Sequence, residues 1–445
     1  MASTYLTFTQ QTPSTAEAQK FTLSMWVKKC GQGLEQGLYG NTYSNTHRGY
    51  IYFDASDRLA FFDSSGTNIK LSRKFRDTNA WYHIVFAVDT TQSSDADKIK
   101  IYINGELYAG SYSSNTYPNN NQDLKIMNTT NTPYMGRYVE AGTSYYFRGA
   151  LSHVHFTQGY VYQASDFGET DTTTGEWKIK TSPSISNYGT NGFWWLKDSI
   201  ATTDHSPNSN AFSVGGGTLT KTEDCPSNVF ATLNPLINIG SNTTYSQGNN
   251  TVSTDNANYK VSPSTLAVSS GKWYMEFKAV SGSFGSIDAA VGIVQADTYF
   301  STGSKNLNAY TNGYSYGSLG KVREYNASDV YTASTYADGD IIGIALDMDN
   351  NKLYFHKNGT YQNSGVPTSG STGTGAVSIT SGKQYYFACS TIASGGTKVF
   401  SANFGNGYFG TTAVSSAGTN ASNNGIFEYD VPAGYTALST KGLNL

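Results

Sequence analysis

Four groupings of side chains could do chemistry. The stretch "DMDNN", Asp347 to Asn351, has the Asp-X-Asp-X-Asn opening of a calcium loop. Lys352 stands where the sixth position needs glycine, and Asn358 where the twelfth needs a bidentate carboxylate. It reads instead as a turn between two strands. Asp54 and Asp57, in "YFDASDRL", put two hard oxygen ligands on one loop, as a calcium site would, although solvated turn residues are the plainer reading. His153 and His155 stand two apart, hence on one strand face, and could ligate a metal ion; no third ligand is identifiable. "SDFGETD" gathers Asp166, Glu169 and Asp171 at a spacing that suits neither a strand face nor a carboxylate pair about 5 Å apart across a glycosidic bond. No catalytic residue is expected, and a structural calcium ion is the one cofactor considered.

A fifth grouping is aromatic. Tyr299, Phe300, Tyr310, Tyr314, Tyr316, Tyr325 and Tyr331 crowd one stretch beside Asn308, Asn312, Arg323 and Glu324. Sugars present polar edges and apolar C–H faces, so rings flanked by amides and charges suit them. The competing reading has these tyrosines packing loops against one another.

The elements that position these groups are strands. Only 14% of the 445 residues are charged, against about 25% in an ordinary protein, while 34 Tyr and 46 Gly stand out. Tyrosine with Ser, Thr and Asn suits half-wet strands and turns. "FTLSMWV" puts Phe21, Leu23, Met25 and Val27 on one face, and "WYHIVFAV" from Trp81 is apolar on both, as a strand covered on each side would be. "KIKIYINGELYAG" from Lys98 and "KLYFHKNGTYQNSG" from Lys352 both break at Asn-Gly, which predicts two hairpins with type I′ turns. Without an amphipathic helix of any length, the sheets must pack on each other. The expectation is an all-β chain of two antiparallel, jelly-roll-like sandwiches: 1–196, a connector 197–258, a second sandwich 259–410, and an extension 411–445 packing on it. Within the connector, "SNVFATLNPL" carries enough apolar residues to dock on a neighbour.

Charge and termini narrow the function classes. A formal net charge of −3 and no long Lys/Arg block argue against nucleic-acid or membrane-surface binding. No apolar run is long enough to span a bilayer, and the N-terminus has no signal-peptide pattern, so the protein is expected to be made in a cytoplasm and soluble there. Cys30, Cys225 and Cys389 form neither a disulfide framework nor a zinc site and read as buried thiols.

"FTLSMWVKK", "WYHIVFAVD", "KIKIYINGELY" and "FRGALSHVHFTQGYVYQASDFG" resemble the laminin-G-like, concanavalin A-type sandwich. "GKWYMEFK", "VGIV", "GYSYG", "GDIIGIALDMDNNKLYFHKNG" and "YYFACS" resemble the SPRY domain, in that family's order. "YGTNGFWWLKDS", "FATLNP" and "YDVPAGYTALSTKGL" resemble a tandem architecture of marine and environmental tailed-phage structural proteins. The first likeness implies a rim calcium site, for which Asp54 and Asp57 are the candidates, and the second a partner-binding surface at the tyrosine-rich loops. Glycosidases on the related scaffold use Glu-X-Asp-X-X-Glu, and no such run exists here. Together the likenesses imply a non-enzymatic virion surface protein that decorates capsid or tail and binds a host-surface glycan or protein. Other virion proteins and further copies of the chain would be its partners, with no nucleic acid and no membrane insertion. A purely structural virion component is the alternative, and a glycan-degrading enzyme a third. With no N-terminal anchor, heptad run or β-helical repeat before Tyr5, an appendage is expected rather than a complete fibre.

Overall fold

Period-two alternation, broken by glycine turns, builds nearly everything in this chain. The computed structural model describes residues 3–127, 132–197, 200–237, 242–255, 259–286, 289–298, 300, 305–325, 329–391 and 396–444. Among these the α-helices are three segments of four residues, and the rest is mostly antiparallel sheet and turns, with short 3-10 segments and a parallel pairing, Thr436–Ala437 on Lys272–Ser281. The fold is nearly all-β, as the composition requires.

The chain divides into two compact units, Met1–Lys221 and Thr222–Leu445. The stretch read as a connector is therefore shared between them. Ser213–Gly216 pairs with Tyr5–Thr7 at the edge of a first-unit sheet, while Thr251–Thr254 pairs with Lys398–Asn403 in the second unit. Phe230, Ala231 and Leu233 are buried there as well, which follows from their apolar character.

In the first unit a large sheet of eight strands faces a small sheet of six. The central strands of the large sheet are Gln36–Ser44, His47–Phe53, Arg58–Asp63 and Thr67–Lys74; those of the small sheet are Gly149–Gln158, Lys20–Lys29 and Trp81–Asp89. Phe21, Leu23, Met25 and Val27 point inward together, as predicted, and meet Ile51, Phe53, Phe61 and Ile69 in one core. Trp81–Asp89 is covered on its second face too, where Val85 packs on Ala164 and Phe167. His83 lies there between Trp26 and Trp177, with ring centroids 5.0 and 5.9 Å away. Its Nδ1 accepts from Trp177 Nε1 at 2.9 Å, which leaves the Nε2 proton for Ser24 Oγ at 2.8 Å.

In the second unit, Lys272–Ser281, Ile341–Asp347 and Lys352–Lys357 lie side by side in one sheet, and Tyr385–Thr391, Ala290–Gln295 and Tyr314–Gly317 in the other. Both predicted Asn-Gly turns have the positive φ pair of a type I′ turn: 51° and 87° at Asn104 and Gly105, 48° and 82° at Asn358 and Gly359.

Trp273, Met275 and Phe277 enter the core, and the opposite face of their strand is buried as well. Glu276, fully buried there, accepts from the backbone N–H of Glu428 at 3.0 Å and of Tyr429 at 2.9 Å, from Tyr274 Oη at 3.0 Å and from Asn403 Nδ2 at 3.2 Å. Burial pushes its carboxyl up to about 7 against those four donors. His356 Nδ1 accepts from Gly359 N, so its Nε2–H donates to Tyr274 Oη at 2.6 Å and completes the chain. Phe427, Val431 and Tyr435 pack beside it. One carboxylate thus ties residues 426–437 to the sheet.

Two outcomes follow. Glu276→Ala leaves the backbone N–H of Glu428 and Tyr429 without this acceptor and should destabilise the second unit by about 3 kcal/mol, seen as a lower urea midpoint; an unchanged midpoint would refute the clamp. Burial pushes the His83 imidazole down to about 3. The unfolded chain then binds the extra proton between roughly pH 6.5 and 3, so this group's contribution is complete above about pH 6.5 and is lost as pH falls. His83→Gln should flatten the first unit's stability loss over that window by about one proton; an identical slope in both proteins would count against a neutral buried imidazole.

Candidate functional site

On the outer face of the first unit's large sheet the alternation that sends Ile51 and Phe53 inward sends Tyr50 and Tyr52 outward. Register places Tyr50 opposite Phe62 and Tyr52 opposite Ala60, with Asn68 and Lys70 on the next strand. A hairpin, Arg137–Glu140 with Thr143–Tyr146, lies over the same face. It approaches closely because Gly37 and Gly40 leave room: a Cβ on Gly37 would stand 2.3 Å from Tyr138 N, and one on Gly40 2.8 Å from Tyr138 Cβ. The result is a column of stacked rings. Tyr145 lies on Tyr138 at 4.7 Å, Tyr138 on Tyr50 at 4.2 Å, and Tyr50 on Phe62 at 5.1 Å. The middle rings are buried, whereas Tyr145 and Phe62 at the ends are half-buried.

Charged groups frame the column in matched sets. The Arg48 guanidinium lies over Phe62 at 5.3 Å and bridges to Glu140 at 2.9 Å. Tyr138 Oη donates to Glu35 Oε2 at 2.7 Å. Burial, reinforced by Glu140, pushes the Tyr50 phenol well above its ordinary value, so it stays a protonated donor. Such a face offers stacking rings and a ring of fixed donors and acceptors. Sequence reasoning missed it, although "GYIYFD" is apolar on both strand faces, which is the signal of a face that something must cover.

The sequence-based candidates fall elsewhere. Asp54 takes Arg58 Nε at 2.9 Å, Lys70 at 3.2 Å and the backbone N–H of Ser56 and Arg58. Burial opposes its ionisation, yet these partners hold its carboxyl below the usual range. Asp57 takes Lys29 at 2.7 Å, Arg76 at 3.2 Å and Gly33 N at 2.8 Å. Both carboxylates are saturated by cations and amides, a donor set that does not suit calcium, and among the described residues no group of three or more His, Cys, Asp or Glu could hold a metal ion. A β-bulge between Ser152 and His155 breaks the alternation that would have paired His153 with His155. His155 is buried instead, stacked on Trp194 and bonded to Tyr188 Oη at 3.0 Å. Glu169 and Asp171 share the exposed Lys178, and Asp166 accepts from Gln163 N. Asp347, at the calcium-like turn, is fully buried and holds Lys272 and Asn350. Cys30 and Cys389 are buried and Cys225 is half-buried.

The tyrosine-rich stretch of the second unit supplies core more than surface. Tyr314 and Tyr316 share the inward face of Tyr314–Gly317, 5% and 0% exposed, with hydroxyls bonded to Thr380 and to the Ser334 carbonyl. Phe300 and Tyr310 form a small cluster with Val294 and Leu307. Tyr331 is partly buried against the main core, and Arg323 pairs with Asp329 at 2.9 Å. Only Tyr325, 43% exposed, stands out as a plate, and Tyr299 lies outside the described residues. Period two decides this: tyrosines two apart on an interior strand face the same core.

Among solved structures, the SPRY domain of human HERC1 is 16% identical with a TM-score of 0.29, over 38% of this chain and 96% of that one. A second human SPRY domain is 17% identical with a TM-score of 0.26, over 34% and 90%. A protein described as a "putative carbohydrate binding protein" from Bacteroides ovatus is 15% identical with a TM-score of 0.31, over 49% of this chain and 60% of that one. A search of curated proteins found no match. Residues 1–163, which carry the ring column and its charged frame, match the family model described as the concanavalin A-like lectin/glucanases superfamily.

Proposed function

We propose that this protein is a non-enzymatic recognition protein of a tailed-phage virion surface, and that the outer face of the first unit's large sheet binds a host-surface glycan. The observation that carries the reading is the ring column, whose end rings Phe62 and Tyr145 are half-buried beside the Arg48–Glu140 pair, near the Asp54, Arg58 and Lys70 cluster. Rings take the C–H face of a sugar, and fixed charge pairs take its hydroxyls without favouring a charged ligand. The concanavalin A-like match of residues 1–163 supports a lectin-like role. The virion assignment rests on the tandem sequence likeness, with other virion proteins and further copies of the chain as partners and the virion as its location. Recognition without turnover fits Glu35, spent as the acceptor of a tyrosine hydroxyl, and the absence of a Glu-X-Asp-X-X-Glu run. One such face binds weakly, and many copies on one particle make attachment firm.

The test is binding of purified protein to host envelope polysaccharide. Phe62→Ala and Tyr145→Ala, each confirmed as folded, should weaken it by about 5- to 30-fold, the size of an ordinary hot spot, and neither the parent protein nor the variants should release reducing ends. Unaltered binding in both folded variants would leave a purely structural virion role in place of recognition; reducing-end release would make the protein an enzyme.

A further inference from the structure

We propose that the first unit carries a separate anion site at Arg137, in a half-open cage of three tyrosines, and that it takes the carboxylate of an acidic sugar. The guanidinium carbon lies 4.5 Å from the ring centroid of Tyr134, 4.6 Å from that of Tyr5 and 5.5 Å from that of Tyr146. All four residues are half-buried.

Strand alternation and one glycine build the cage. Leu6 and Met135 enter the core, so their neighbours Tyr5 and Tyr134 lie on the outer face of the large sheet. Leu6 pairs with Met135, and the two rings meet edge to face at 5.5 Å. Gly136, at φ 79°, turns the chain out of that strand, a conformation that a side chain would strain. Arg137 then opens the hairpin strand directly opposite Tyr146.

A charge without a partner selects the ligand. Other cations on this face are spent, Arg48 on Glu140 and Arg58 with Lys70 on Asp54. Among the described residues no carboxylate pairs with Arg137 and no protein group accepts from it; its Nε is buried and has no hydrogen-bond partner. Aromatic faces attract the cation but leave its in-plane N–H groups unsatisfied, and that planar fork fits a carboxylate. Around it, half-buried rings offer apolar surface to the carbon face of a sugar, which a bare anion would not use. The inference rests on the glycan reading of this unit for its ligand class and on Arg137 for the charge. It shares no ring with the column of Tyr145, Tyr138, Tyr50 and Phe62, so either site can fail without the other.

The experiment titrates the full-length protein with glucuronate, glucuronamide and acetate, followed by saturation-transfer NMR. Glucuronate should bind saturably. Glucuronamide, which keeps the ring and loses the charge, and acetate, which keeps the charge and loses the ring, should each bind at least ~10-fold more weakly, the weight of about one charge-assisted hydrogen bond or of one stacked ring. Arg137→Gln, with its urea midpoint checked, should lower glucuronate affinity by a similar factor, and Phe62→Ala should leave it unchanged. If Arg137→Gln does not fold, the three ligands on the parent protein decide the matter alone. The proposal is overturned by no saturable glucuronate binding, by equal affinity for glucuronamide or for acetate, by full affinity in folded Arg137→Gln, or by loss of glucuronate binding in folded Phe62→Ala.

Discussion

A β-sheet has two faces, and in each of the four main sheets of this chain both faces carry buried apolar side chains. One face of each enters a sandwich core; the other also carries large apolar side chains, and each acquires its own cover. The hairpin at 137–146 lies on Tyr50 and Tyr52, the segment holding Phe167 and Trp177 on Val85 and His83, residues around Phe427 and Tyr435 on Tyr274, and Phe300 with Tyr310 on Val294 and Ala388. Burying a large apolar side chain is worth about 1.5–3 kcal/mol, enough to organise a loop that has no helix or core of its own.

Covering a sheet's outer face has a cost, because polar groups are buried with the rings. The structure meets it by pairing. Glu276 takes four donors, Lys29 and Asp57 neutralise each other, and His83 and His356 stay neutral with both nitrogens engaged. Removing one member strands the other, whereas the intact set rigidifies the cover. The same logic makes the proposed glycan face stiff, since the ring column is held by Tyr138–Glu35 and Arg48–Glu140. Rigid donors and acceptors around partly exposed rings favour recognition over adaptation, since little is left to order when a ligand arrives.

The sequence by itself determined the all-β class, the inward set Phe21, Leu23, Met25 and Val27, the burial of Trp81–Asp89 on both faces and both Asn-Gly hairpins, because period two and turn chemistry are local properties of a strand. What it could not determine is which ring ends in core and which on a face. Tyr314 and Tyr52 look alike in sequence; one lies against Tyr385 inside a sandwich, the other on an outer face beneath a hairpin that starts 85 residues later. In sequence Asp54 and Asp57 are solvated turn residues or, less plainly, calcium ligands; folded, both are buried and Lys70, Arg58, Lys29 and Arg76 occupy their oxygens. Bulge placement at His153, the approach permitted by Gly37 and Gly40, and the return of the C-terminal strap to Glu276 are likewise decided by partners distant in the chain. Only the tertiary structure chooses among them, because which side chain meets which is set by packing across strands that no local pattern records.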